Sequence, residues 1–188
     1  DGRLYAILSA AGFSLKAIFV KLAYAAGPVD ALTLLAMRMG LALPLFMWLI
    51  HLSRGSQSAP LRPVDGLWVV FLGLFGYYLS SLFDFYGLEY ISAGLERLIL
   101  FLYPTLVLVI QAVIARRRPG PRVVQAIAVC YIGLSIAFVH DVRLSGPGTN
   151  VIKGAAWVFA SAVTYALYYL GTGAIIKRLG SMRLAGMA

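Results

Sequence analysis

A chain of 188 residues that is 61% hydrophobic and only 12% charged, with a mean hydropathy of +0.87, cannot be an ordinary soluble domain, which would carry about a quarter charged residues. The net charge of +9 comes without a basic face interleaved with aromatics, so nucleic acid is not an expected partner; basic residues gathered in the loops on one side of a bilayer account for it. Cys130 is the single cysteine and lies in an apolar run, which excludes a disulfide framework and a thiolate metal site. The expected class is all-α, a polytopic transmembrane bundle of about six helices with the lipid bilayer as its surroundings.

In chain order, the first helix is expected from about Leu4 to Ala25, closed by Gly27-Pro28. Ala23-Tyr24-Ala25 resembles a signal-peptide cleavage site, but Lys16 and Lys21 inside the run argue against an uncharged leader. The second helix starts after Asp30, a good N-cap, and runs to about Leu52 with Arg38 and Pro44 inside it. A Ser, Pro and Arg-rich loop, Ser53 to Asp65, leads to a third helix over roughly Gly66 to Tyr86, with Gly73 and Gly76 as a small-residue contact and Asp84 near its end. After a turn at Gly87–Tyr90, the run Ile91–Ala115 is long enough to span a bilayer and carries Glu96, Arg97 and Pro104. Pro104 predicts a mid-helix kink, because it removes a backbone donor and pushes on the carbonyl of Leu100. The block Arg116–Arg122 must lie outside the membrane, as a topology anchor or a contact for anionic lipid heads. A fifth helix is expected over Val123–Val139, a Gly/Pro loop over Asp141–Asn150, and a sixth helix over Val151–Ile176.

Counting Lys and Arg in alternate loops sets the orientation. Arg3, Arg54, Arg62, the arginines of 116–122, Lys177, Arg178 and Arg183 fall on one side; Arg143, Lys153 and Lys21 fall on the other. The N-terminus is therefore expected in the cytoplasm, with the chain crossing a bacterial inner (plasma) membrane several times. Setting the sixth helix on the first places Ser161-Ala162 over Ser9-Ala10, Leu167 over Leu15, Trp157 over Tyr5 and Tyr165 over Phe13. Copies separated by an odd number of crossings would be inverted, as in many secondary transporters. The division expected is a first unit over 1–140, an extracytoplasmic loop over 141–150 and the start of a second unit over 151–188. Asp1 in place of an initiating Met, and an end shortly after a basic turn, read as a piece of a longer protein.

Ionisable groups inside these helices are expensive in hydrocarbon, about 2.5–3.5 kcal/mol each, and usually face a bundle interior or a wet cavity. Measured by helical rise from the outer ends, Lys16 lies about 13 Å deep, Arg38 about 10 Å, and Glu96 and Arg97 about 7–9 Å. These four are the expected substrate-binding and translocation residues, with Tyr103 as a cavity wall; Pro44 and Pro104 are the expected kinks. Lys21 and Asp84 sit shallower, at about 5 Å, and are expected to reach for the interface. Tyr77, Tyr78, Tyr86 and Phe101 are candidate walls whose plainer role is packing or an interface belt. The layer has more cations than carboxylates, which suits a negatively charged or zwitterionic small-molecule substrate. Glu96 is the candidate proton-coupling carboxylate, and Arg97 could equally hold it ionised. No catalytic residue, metal site or cofactor is expected. H-E-x-x-H is absent, His51 and His140 are too far apart to share a helical face, and Gly171-Thr172-Gly173 lacks the strand a nucleotide-binding loop needs.

Three stretches carry a family likeness: GFSLKAIFVKLAY in the first helix, MRMG in the second, and above all DFYGLEYISAGLERLILFLYPTLVLVI. They resemble the EamA family of the drug/metabolite transporter superfamily, and IKGAAWVFASAVTYALYYLGTGAIIKRLGS resembles the opening of that family's second domain. The resemblance implies ten helices in two inverted five-helix units around a central cavity, of which this chain holds half and one helix more. It also implies a carrier, often an exporter, of amino acids, other small metabolites or toxic compounds. The competing reading is a non-transporting membrane scaffold or sensor, or a half-size unit that forms a homodimer.

Overall fold

The computed structural model describes residues 2–53, 63–116, 119–144, 150–179, 184 and 187. Among them the chain is all-helical: α1 Gly2–Ala26, α2 Ala31–Ser53, α3 Pro63–Leu72, α4 Ser80–Leu88, α5 Ala93–Leu100, α6 Tyr103–Ile114, α7 Pro121–Leu144 and α8 Val151–Leu179. α3 and α4 are joined without a break by a π-helical stretch, Gly73–Leu79. α5 and α6 form one crossing, so six rods result, and five of them are long and apolar enough to cross a membrane.

Three boundaries differ from the sequence expectation. The Ile91–Ala115 run is not a kinked helix but two helices, because Pro104 falls in the first turn of α6 rather than in a helix interior. α5 ends with the Phe101 N–H bonding Arg97 O and the Leu102 N–H bonding Ile99 O, and α6 restarts from Leu102. Proline has no donor to lose at a helix start, so ending and restarting avoids the clash. Pro44, by contrast, lies inside a continuous α2. The third helix carries the π stretch that period-counting cannot detect, and α7 continues to Leu144, taking up part of the expected 141–150 loop. Residues 145–149 of that loop, with Arg54, Arg62, Arg117, Arg118 and Arg183, lie outside the described residues, as do the side chains of Arg3, Lys177 and Arg178.

The N-caps follow the local sequence. Asp30 Oδ2 accepts from the Thr33 N–H at 3.3 Å to open α2, and Ser92 Oγ accepts from the Leu95 N–H at 3.1 Å to open α5. α6 closes through Arg116, whose positive φ of 51° is the left-handed turn that ends helices.

α8 is the rod the others gather around, touching α4 most broadly and then α6, the π stretch and α5. Its contact stripe is small or notched. Gly154 crosses Gly87 so closely that a Cβ on Gly154 would sit 2.7 Å from Ile91 Cγ2 and 3.0 Å from Gly87 O. Two turns on, Ser161 Oγ donates to Ser80 O at 2.8 Å, with the two hydroxyls 3.0 Å apart. Further along, Gly76 leaves the space that the Tyr168 ring occupies. In lipid, where apolar side chains gain little from leaving the tails, close backbone approach and interhelical hydrogen bonds of this kind hold helices together. Elsewhere the surface is apolar: Leu41, Trp48, Val129, Ile132 and Ile136 all project outward from α2 and α7. No residue of α7 is buried. A soluble protein could not expose such faces; a bilayer covers them.

Candidate functional site

Between α1, α2, α4 and α5 lies a cluster of ionisable side chains. Lys16 Nζ on α1 meets Asp84 Oδ2 on α4 at 2.5 Å, and Arg97 Nε meets Glu96 Oε2 on α5 at 3.1 Å. The exposures are 16% for Lys16, 12% for Arg97, 1% for Asp84 and 0% for Glu96. The two carboxyls, from different helices, are within hydrogen-bonding reach of each other. Two rings extend the chain of contacts. Phe13 lies between Lys16 at 5.5 Å and Arg97 at 4.6 Å from its centroid, and Phe85 lies between Lys16 at 5.8 Å and Arg38 at 5.7 Å. Aromatic faces attract cations, and more strongly where water is excluded. Arg38 on α2 also reaches Ser81 Oγ at 3.4 Å.

Local sequence explains the placement. Glu96 and Leu95 follow the Ser92 cap, so the first turn of α5 points Glu96 into the bundle, with Leu95, Ile99 and Leu100 buried beside it. Asp84 precedes Phe85 and Gly87, which face α1, α2 and α8, and Ala17 and Leu35 close the floor. Asp84 was expected to reach the interface because it lies close to the end of its helix. Instead the tight Gly87–Gly154 crossing lays α8 over that end and Lys16 supplies the counter-charge, so Asp84 belongs to the cluster. Lys21 stays nearer the bundle end, half-buried in a cavity of about 420 Å³ with Tyr24, Asp30 and Glu89.

Arg38 stands between two cavities. One, of about 270 Å³, is lined by Lys16, Phe19, Leu34, Arg38 and Phe85; the other, of about 360 Å³, by Arg38, Met39, Phe46, Met47, Tyr77 and Ser81 among others. The second is lined mostly by apolar side chains, with Arg38, Tyr77 and Ser81 as its polar groups.

Tyr103 joins a separate group. It stacks on Tyr169 at 5.1 Å and meets Tyr165 edge-on at 5.0 Å, while Tyr168 Oη donates to Tyr77 Oη at 3.2 Å. Five tyrosines thus pack where α6, α8 and the π stretch meet. Of the five, the sequence offers only Tyr77 and Tyr103 as wall candidates; the i, i+3, i+4 spacing of Tyr165, Tyr168 and Tyr169 is the available signal for the rest. Among the described residues no His, Cys, Asp and Glu group could hold a metal ion.

Residues 2–139 match the EamA-like transporter family. The chain belongs to the EamA-like transporter family. It is 30% identical over 97% of its length to a Bacillus subtilis protein named Uncharacterized transporter YcbK, and 26% identical over 90% of its length to an Archaeoglobus fulgidus protein named Uncharacterized transporter. It spans 58% and 57% of the lengths of those two relatives. No solved structure matches it. With five helices among the described residues long and apolar enough to span a bilayer, this EamA-like chain is a multi-pass membrane protein.

Proposed function

We propose that this EamA-like chain carries the substrate-binding layer of a secondary carrier, an exporter of small anionic or zwitterionic metabolites such as amino acids. The observation that supports this most is the meeting of Lys16, Asp84, Glu96 and Arg97 inside a membrane bundle, with Arg38 of α2 on its exposed rim across the Phe85 ring. Charges that only tied helices together would close into neutral pairs. Here the cations outnumber the carboxylates, and Arg38 opens onto two cavities. A solute carboxylate would complete the balance, with the apolar wall of Met39, Phe46 and Met47 receiving its side chain. Glu96 serves as the proton-coupling acid, and the N-terminus lies in the cytoplasm, as the Lys and Arg bias implies.

The test is metabolite profiling of cells carrying the full-length protein, with Arg38→Ala and Glu96→Gln alongside. The wild type should change the medium level of at least one amino acid or organic acid, and both variants should lose at least ten-fold of that rate. Wild-type rates in both variants would end this reading.

A further inference from the structure

The carboxyls of Asp84 and Glu96 are fully enclosed, come from α4 and α5, and lie within hydrogen-bonding reach of each other. Beyond the ion pairs to Lys16 and Arg97, none of their four oxygens has a hydrogen-bond donor among the described residues. Buried acceptors are almost always satisfied, and two ionised carboxylates cannot hydrogen-bond to one another. A proton on one of them supplies the missing donor.

We propose that Asp84 and Glu96 together form one proton-binding site, sharing a single exchangeable proton whose presence sets how many cations of the cluster are free. With the proton in place, the pair carries one negative charge against Lys16 and Arg97. Arg97 then keeps Nη1 and Nη2 buried without a partner, and the cluster holds a surplus positive charge. When the proton leaves, Lys16–Asp84 and Arg97–Glu96 become two closed pairs and that surplus is cancelled. Proton and anionic solute therefore bind together rather than in competition. This last consequence rests on the carrier reading; the shared proton does not.

The surrounding groups leave the site undisturbed by other acids. α1 presents Lys16 and Tyr24, the latter donating to Phe85 O at 3.0 Å, and α2 presents Arg38. α7 directs Asp141 to the Ser92 N–H. α8 directs Lys153 to Tyr90, and its tyrosines are occupied with Tyr77 and Tyr103.

The test is infrared spectroscopy of the full-length protein in lipid nanodiscs, following the C=O stretch of a protonated carboxyl and its shift in D₂O. The wild type at pH 7 should show a band equivalent to one protonated carboxyl per chain. That band should vanish in Asp84→Asn and in Glu96→Gln, because the remaining acid keeps a cation of its own and ionises. Absence of the band in the wild type overturns the proposal even if neither variant folds, and so does its survival in either variant. Because no transport is measured, failure here is distinct from failure of the carrier reading.

Discussion

Replacing Lys16 with Met, Asp84 with Asn, and both together tests whether the cluster is a physical unit. At 2.5 Å the pair's direct attraction is on the order of 7 kcal/mol with an effective dielectric constant of about 20. The measurable loss is smaller, since desolvation has already opposed that attraction, and removing one partner of a buried pair costs about 3–5 kcal/mol. Lys16→Met should fall near the low end, because the single negative charge of a proton-sharing Asp84–Glu96 pair still has Arg97 beside it. Asp84→Asn should be comparable, leaving Lys16 facing Phe13 and Phe85 without its carboxylate. The double variant removes both charges, so it should lose less than the sum of the singles, by about 2–3 kcal/mol. Unfolding of the purified protein in mixed micelles, titrated with a denaturing detergent, gives the four free energies. Singles that add within about 0.5 kcal/mol would refute the pairing and dissolve the cluster.

Other expectations are independent of that pair. Gly154→Leu should drive α8 away from Gly87 and Ile91, destabilising by about 1–3 kcal/mol or preventing folding, while Gly173→Ala, with open space around it, should be neutral; thermal melts separate the two. Ser161→Ala removes the hydroxyl that donates to Ser80 O and should cost about 1 kcal/mol in the same melts. Asp30 is held below the usual carboxylate range by its hydrogen bond to Thr33, so its capping contribution is present at neutral pH and lost as pH falls through that lowered value. The stability gap between wild type and Asp30→Ala should therefore close in acid, and a gap that widens there would contradict the cap. For the proposed orientation, a membrane-impermeant maleimide added to intact cells should label Asn150→Cys but not Arg116→Cys, each in a Cys130→Ala background.

Much of the architecture was legible because hydrophobic runs and breakers set it. The Asp30 cap and Gly27-Pro28 gave the α1–α2 turn within a residue or two, and the six rods followed from length alone. Pro104 was read as a kink since sequence does not say whether a proline falls inside a helix or at a helix start. The π stretch was hidden because a wider helical turn leaves the apolar composition unchanged; Gly76, inside it, packs closely under the Tyr168 ring of α8. At the site, depth counting put Lys16, Arg38, Glu96 and Arg97 in one layer, and α1, α2 and α5 bring them around a common centre. Asp84 was misjudged because depth along a helix says nothing of direction around it. Its burial depends on α8, more than sixty residues away in sequence. Tyr103 lies deeper than the charged layer, and its ring turns to the α8 tyrosines.

Water access to the charged layer tests the central claim most directly. In a Cys130→Ala background of the full-length protein, Lys16→Cys, Arg38→Cys and Ile132→Cys would each be exposed to a small charged thiol reagent in the membrane. Arg38→Cys and Lys16→Cys should react at least ten-fold faster than Ile132→Cys, which projects from the apolar outer face of α7. Equal protection of all three would mean that the charges are sealed in a dry interior, and no solute passes them.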